Sequence, residues 1–206
     1  MILYKLNMRL LELFSGTKSV SSAVGNQFDE IISVDIDAKS NPTICTDILQ
    51  WDYKVYPVGH FDCIWASPPC CSFSKLQYSH KTIPQVLANI EKNGLPILRR
   101  AEEIIAYFQP ARYYIENPET GLMKNYLDKP FYDVDYCRYS NWGYKKPTRI
   151  WTNVTNFSPL RCGYCCVNGY YHDGRYRHNS SVCNSSLNQR YKIPEKLIQE
   201  LFNAQV

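Results

Sequence analysis

Short runs of strand-forming residues alternate with helical patterns over the first 150 residues. A small-residue turn and a short helix follow the first of these runs and end near Gly25. Since strands that alternate with helices usually build a parallel sheet, we predict an α/β protein with helices on both faces of a mostly parallel sheet. The predicted strands span residues 10–14, 31–37, 43–48, 61–66, 113–115, 134–139 and 149–153.

Two further helices are predicted from amphipathic patterns. Asn93 is the predicted cap of a long helix that carries Pro96 in its first turn and continues to Phe108. Its apolar residues recur at the spacing of one helix face. A shorter amphipathic helix is predicted over residues 195–203. The last two predicted strands are expected to pair through the connection 141–147.

The pattern changes near Asn156, where periodicity is lost and small, polar, Cys, His and Tyr residues predominate. We predict a small irregular module in this part of the chain. The sequence therefore divides into an α/β region at residues 1–153, a Cys/His/Tyr-rich module at 154–190, and a C-terminal helical region at 191–206 that packs back on the first.

Positive charge is concentrated in one part of the chain. The whole chain has a net charge of +4, whereas the segment from Arg138 to Lys192 holds nine lysines and arginines against one acid, Asp173, and carries +8. Seven of the 17 tyrosines lie in the same segment. Cations interleaved with flat rings suit a nucleic acid, and an ordinary basic surface is the alternative.

The chain contains nine cysteines and begins without the pattern of a secretory signal. No apolar run reaches the ~18–20 residues of a membrane helix. We therefore expect an intracellular protein in a reducing compartment with no membrane partner. Its cysteines are expected to be free thiols, metal ligands or a nucleophile rather than disulfides.

Four residues of the module predict a zinc site. Cys162 and Cys165 have the spacing of a zinc knuckle, and His178 and Cys183 follow them. A glycine-rich module with little apolar content needs a metal or a similar constraint to fold, which favours one structural zinc ion over loose thiols.

Polar turns follow several of the predicted strands, where ligands bind in open α/β sheets. Ser15 and Gly16 form a tight turn after the first strand, in which glycine lets a ligand approach the backbone. Asp35 and Asp37 close the second strand, where an acid typically bonds the ribose hydroxyls of a nucleoside cofactor. Asp47 is a weaker candidate, and solvated turn residues are the alternative for all three acids.

Two turns have the composition of a catalytic site. Pro68 and Pro69 stiffen the turn after the fourth strand and hold Cys70 at the sheet edge, where it could act as a thiolate. Cys71 is the competing nucleophile. Glu116 ends the apolar fifth strand, a position that suits proton transfer.

These turns resemble the ordered motifs of the cytosine-C5 DNA methyltransferase family, most of all its small viral and phage members. Pro-Pro-Cys at 68–70 and Glu-Asn at 116–117 form the most specific pair. The family's glutamine after the nucleophile is replaced here by Cys71. The matching segments, in the family's order, are residues 11–17, 35–37, 47–48, 67–74, 116–117 and 143–151.

The resemblance implies a Rossmann-like, S-adenosylmethionine-dependent methyltransferase fold, a DNA substrate and, for a viral member, a location in the host cytoplasm or nucleus. It assigns cofactor binding to Phe14, Ser15, Gly16, Thr17, Asp35 or Asp37, Asp47, Ile48 and Pro68. It assigns catalysis to Cys70, Glu116, Asn117 and Arg149.

The implied reaction begins when the Cys70 thiolate adds to C6 of cytosine and makes C5 nucleophilic enough to take a methyl group. Glu116 donates at N3, Asn117 orients it, and Arg149 holds O2. The base must leave the duplex or come from a single strand to reach such a site. Two alternatives remain open: an RNA substrate, and a nucleic-acid-binding protein of this fold without turnover.

Overall fold

The computed structural model describes residues 7–205, so positions 1–6 of the predicted α/β region and position 206 of the C-terminal region lie outside the described residues. A seven-stranded sheet has the order β3-β2-β1-β4-β5-β7-β6. Strand β7 runs antiparallel to β5 and β6, and the other neighbouring pairs are parallel. The strands are β1 (Arg9–Leu13), β2 (Glu30–Asp35), β3 (Ile44–Cys45), β4 (Cys63–Ala66), β5 (Arg112–Pro118), β6 (Phe131–Asp135) and β7 (Pro147–Thr152).

Helices cover both faces of this sheet, which confirms the predicted α/β class. On one face, helices α2 and α3 pack in a core around Leu98 and Phe108. On the other face, helices α1 and α5 pack in a second core around Val20 and Leu201. The helices are α1 (Ser19–Val24), α2 (Ile83–Asn89), α3 (Leu95–Phe108), α4 (Leu187–Tyr191) and α5 (Glu195–Asn203).

The start of α3 differs from the prediction. A π-helical turn, Ile90–Gly94, joins α2 to α3, so that Asn93 lies inside this turn and does not cap a helix. An added Cβ on Gly94 would lie 2.9 Å from the Phe73 ring. The missing side chain therefore lets the segment just after Cys70 pack closely against the helical layer.

The module contains regular structure that the sequence pattern did not predict. Strands β8 (Gly169–His172) and β9 (Arg175–His178) form an antiparallel hairpin. Asp173 and Gly174 connect them, with φ of 49° and 72°. Two left-handed residues in succession are typical of a type I′ turn, whose twist matches that of paired strands.

The parallel strands β1, β2, β4 and β5 bring their carboxyl ends to one edge of the sheet. The chain leaves β1 for β2 on one side and continues to β4 on the other, so the topological switch point lies at the end of β1. Within residues 7–205, no helix is long and apolar enough to cross a membrane.

Candidate active site and cofactor pocket

The turn after β1 has an unusual backbone conformation. Phe14 and Gly16 have φ of 57° and 43°, and the Gly16 N–H donates to Asp35 Oδ2 at 2.8 Å. Ser15 N–H donates to the Val34 carbonyl at 3.2 Å. Both hydrogen bonds join this turn to the end of β2. Ser15 Oγ is buried and has no hydrogen-bond partner among the described residues, so it is available to a ligand.

The three acids at this edge have different surroundings. Asp35 is half-buried, and its Oδ1 accepts from the Asp37 N–H at 2.8 Å. Asp37 is exposed and accepts from the Lys39 N–H at 2.9 Å. Asp47 accepts from the Leu49 N–H at 2.9 Å. Asp35 is therefore the acid most closely joined to the first turn, and Asp37 faces solvent.

The remaining predicted cofactor residues line the same edge. Thr17 is half-buried, and its hydroxyl hydrogen-bonds that of Ser19 at 2.8 Å. Ile48 is buried in the same core as Leu98 and Phe108. Pro68 is also buried, and its carbonyl accepts from Asn117 Nδ2 at 2.8 Å. This last bond ties the proline turn after β4 to the end of β5.

Cys70 stands directly after this proline turn and before a short 3-10 turn, Cys71–Phe73. The residue is exposed, but the protein around its thiol removes enough water to raise the pKa of Cys70. The negative charge of Glu116 raises it further, and Lys146 opposes both effects with its positive charge. The predicted nucleophile and the predicted acid therefore lie within electrostatic reach of each other.

Glu116 is buried at the end of β5. Its Oε1 accepts a hydrogen bond from Tyr136 Oη at 3.0 Å. Complete burial raises the pKa of Tyr136 well above its usual value, so the phenol keeps its proton and donates it. Tyr136 thus holds one oxygen of Glu116 in place, a contact that the sequence motifs do not reveal.

Arg149 is not brought together with Glu116. Its register partner on β5 is Asn117, whereas that of Glu116 is Ile150. Because neighbouring residues of a strand point to opposite faces, Arg149 and Glu116 lie on different faces of the sheet. Arg149 instead makes a two-pronged ion pair with Asp133 at 2.7 and 2.8 Å.

Two residues near Cys70 were given no role by the sequence motifs. Lys146 Nζ donates to the Arg190 carbonyl at 2.8 Å and lies 4.7 Å from the centre of the Tyr136 ring. Burial raises the pKa of Tyr191, and the neighbouring thiols and Asp35 raise it further. Tyr191 is itself exposed and lies within electrostatic reach of Cys70 and of Asp35 at the end of β2. Tyr191 stands near the end of the basic, tyrosine-rich segment from Arg138 to Lys192, and that composition could have indicated it.

The cysteines and histidine that lie together are not the four predicted ones. The cluster consists of Cys137, Cys162, Cys166 and His178, whose ligand atoms all lie within 4.8 Å of one another. His178 Nε2 is 3.7 Å from Cys162 Sγ and 3.5 Å from Cys166 Sγ.

The predicted ligand set is therefore corrected at two positions. Cys165 and Cys183 are exposed and lie outside the cluster. Tyr164 has a left-handed backbone (φ 60°) just before Cys165, and the buried thiol that follows is that of Cys166. Three thiols and one imidazole suit a tetrahedral zinc ion, and the residues present fit that metal.

No protein-family model matches the chain. A curated protein of Frog virus 3 (isolate Goorha), named "Probable DNA (cytosine-5)-methyltransferase", is 42% identical over 215 aligned positions. The alignment covers 95% of this chain and 99% of the relative. The similarity therefore extends over the module as well as over the α/β region.

Two solved structures share the fold at low sequence identity. The Entamoeba histolytica methyltransferase EhMeth has a TM-score of 0.56 and 15% identity, over 76% of this chain and 56% of that one. A candidate DNA modification methyltransferase encoded within an E. coli prophage has a TM-score of 0.50 and 16% identity, over 70% and 46%. The chain thus spans about half the length of these two proteins.

Proposed function

The chain belongs to the DNA (cytosine-5)-methyltransferase family, and from this premise we propose that it transfers a methyl group to C5 of cytosine in DNA, with Cys70 as nucleophile. The observation that carries the proposal is the placement of Cys70 on a rigid proline turn, close enough to buried Glu116 for the two charges to interact. A thiol and a carboxyl at neighbouring strand ends are the groups that this chemistry requires.

S-adenosylmethionine is the cofactor that the family implies, and the residues at the sheet edge fit it. The unpartnered Ser15 Oγ and the left-handed Gly16 form a cradle for a polar ligand at the switch point. We assign the ribose to Asp35, because it is half-buried beside Gly16, whereas Asp37 faces solvent. When bound, the cofactor supplies an electrophilic methyl group on a sulfonium.

Cys70, Glu116 and Asn117 have different roles in the reaction of the cytosine base. The Cys70 thiolate forms a bond to C6 while Glu116 gives a proton to N3, so that negative charge does not build up on the ring. C5 becomes nucleophilic and is methylated. A solvent water molecule then takes the C5 proton, the bond between sulfur and C6 breaks to regenerate the thiolate, and the N3 proton returns to Glu116. Asn117 supports the reaction through its hydrogen bond to the Pro68 carbonyl.

The hairpin offers a surface for the DNA backbone. Tyr170 pairs with Arg177 and His172 with Arg175, which places these four side chains on one face. All four residues are exposed. Gly169, Tyr171, Tyr176 and His178 occupy the other face, toward the Cys/His cluster. We infer that the exposed face contacts phosphates through its arginines.

The cluster of Cys137, Cys162, Cys166 and His178 is proposed to hold one zinc ion. Burial and the positive charge of Lys145 lower the pKa of His178, which favours the neutral imidazole that binds metals. Protein purified without chelator is expected to carry about one zinc per chain. A metal-free protein with full activity would show that the enzyme does not need zinc.

The two alternatives have less support. Intact Cys70 and Glu116 at adjoining strand ends favour an active enzyme over a binding protein without turnover. The Frog virus 3 relative, which aligns over almost the whole chain, is named for DNA. DNA is therefore the proposed substrate.

The test is transfer of tritiated methyl from S-adenosylmethionine to DNA and to RNA, with bisulfite mapping of the product. Cys70→Ser is expected to abolish transfer and to leave binding of S-adenosylhomocysteine intact, because a hydroxyl is a far weaker nucleophile than a thiolate. Cys71→Ser is the matched control and should stay active. If only Cys71→Ser loses activity, Cys71 is the nucleophile and not Cys70. Methyl transfer to RNA but not to DNA would contradict the proposed substrate.

A further inference from the structure

The Cys/His cluster joins the module to the α/β region. Three of its members, Cys162, Cys166 and His178, belong to the module, whereas Cys137 lies in the 3-10 turn that follows β6 of the large sheet. A metal held by all four would fasten the hairpin to this sheet. The site is thus an interdomain connection as well as a support for the module.

Cys137 is adjacent in sequence to the residue that holds the proposed catalytic acid. Tyr136 and Cys137 belong to one short 3-10 turn, Tyr136–Arg138. Tyr136 is completely buried and donates from Oη to Glu116 Oε1 at 3.0 Å. The thiol of Cys137 and the phenol of Tyr136 therefore share a single turn of backbone.

We propose that a zinc ion bound by Cys137, Cys162, Cys166 and His178 positions the catalytic acid Glu116 through Tyr136. The inference rests on the proposed function, since it gives the metal a role in that reaction. With Oε1 held by Tyr136, Oε2 is left to carry the proton to the base. A general acid must present its proton in a fixed geometry, and the metal fixes the turn from which this hydrogen bond comes.

Polar contacts from the module reach the same turn and its neighbour. Asp135 is fully buried, and its Oδ2 accepts from the Cys162 N–H at 2.7 Å. Asn168 Nδ2 donates to the Cys137 carbonyl at 2.8 Å. Module residues therefore hold both neighbours of Tyr136, Asp135 through its side chain and Cys137 through its carbonyl.

The arrangement links the proposed DNA surface to the proposed chemistry. His178 ends β9, the strand that carries Arg175 and Arg177. From the hairpin, the connection runs through the metal to Cys137, then to Tyr136 and Glu116. Loss of the metal is therefore expected to lower the rate of methyl transfer even when the substrates still bind.

The first experiment compares Cys166→Ser with Cys165→Ser, an adjacent and exposed cysteine outside the cluster. Cys166→Ser should lose zinc and show a kcat at least ~10-fold lower, a part of the ~10²–10⁴ that a general acid contributes. Its affinity for S-adenosylhomocysteine should not change. Cys165→Ser should keep both zinc and kcat. A metal-free Cys166→Ser protein with the wild-type kcat would overturn the proposal.

Tyr136→Phe separates positioning from folding. This variant should stay folded at the assay temperature and keep its zinc and its KM for DNA, while kcat falls by a factor similar to that of Cys166→Ser. The double variant should be no slower than the slower single variant, since both changes act on one path. A wild-type kcat for Tyr136→Phe, or losses that multiply in the double variant, would contradict the inference.

Chelation of the wild-type protein covers the case in which Cys166→Ser fails to fold. Removing zinc should lower kcat, and adding zinc back should restore it. An unchanged kcat after verified metal loss would refute the positioning role. Because these comparisons use an active wild-type enzyme as reference, an inactive wild type would instead count against the proposed function itself.

Discussion

At the scale of single residues, the negative charge of Glu116 disfavours the thiolate form of Cys70. A thiol attacks only as thiolate, and both burial and the negative charge of Glu116 raise the pKa of Cys70. The proposed reaction needs Glu116 protonated and Cys70 ionised. In that state Cys70 carries the only negative charge of the pair. The repulsion that raises the pKa of Cys70 is therefore absent when Glu116 is protonated.

Glu116→Gln should therefore make Cys70 more reactive while it stops the enzyme. Removing the negative charge lowers the pKa of Cys70, so at neutral pH a larger fraction is thiolate and iodoacetamide should alkylate it faster. Methyl transfer should fall by ~10²–10⁴ because the general acid is lost. Mass spectrometry of the labelled peptide measures both Cys70 and Cys71, the internal control. Unchanged alkylation of Cys70 would show that Glu116 does not act on this thiol.

The turn after β1 has its own residue-scale prediction. Asp35→Ala removes the carboxylate that holds the Gly16 N–H and the proposed ribose contact, so binding of S-adenosylhomocysteine should weaken by at least ~10-fold. Gly16→Val should weaken it as well, because a branched side chain is strained at φ of 43°. Asp37→Ala is the matched control. If calorimetry finds that all three variants bind S-adenosylhomocysteine as tightly as the wild type, this edge is not the cofactor site.

At the scale of elements, periodic patterns allowed the main features to be predicted. Helix α3 was predictable because its buried residues recur on one face, and the parallel strands were predictable from their apolar runs. The predicted strand 134–139 was wrong in its bounds, because β6 ends at Asp135 and the apolar residues that follow belong to a 3-10 turn. Helix α2 was missed because, of its apolar positions Ile83, Val86 and Leu87, only Val86 is buried. So short and exposed a helix gives little periodic signal.

The hairpin was missed for a different reason. Its strands pack against the Cys/His cluster and one another rather than in an apolar core, so alternation of apolar and polar residues is weak. The dipeptide Asp173-Gly174 is a strong hairpin signal and was available in the sequence. Turn chemistry therefore predicts β8 and β9 where hydrophobicity does not.

The hairpin's exposed arginines make a prediction at this scale. Arg175→Ala combined with Arg177→Ala should weaken DNA binding across sequences and reduce the salt slope by about two, since each arginine is assigned one phosphate. Affinity for S-adenosylhomocysteine and zinc content should not change. Titrations of labelled DNA at several salt concentrations measure the slope. A slope equal to that of the wild type would show that the two arginines do not contact DNA phosphates.

At the scale of the whole molecule, some sites depend on contacts that sequence spacing does not contain. Cys162 and His178 were predictable as members of the Cys/His cluster from local spacing, but Cys137 joins them only because the turn after β6 lies against the module. The same limit applies to Arg149, whose side chain is placed by sheet register and by Asp133. The motif turns were predictable because parallel strands bring their carboxyl ends to one edge.

The most direct test of the account is to trap the bond between Cys70 and cytosine. DNA that carries 5-fluorocytosine should form a denaturation-resistant complex with the wild-type protein and S-adenosylmethionine, because fluorine at C5 cannot leave as the proton does and elimination is blocked. We predict that mass spectrometry finds the methylated base attached to the peptide at Cys70, and that Cys70→Ser forms no complex. An adduct at Cys71, or methyl transfer with no trapped complex, would contradict the account.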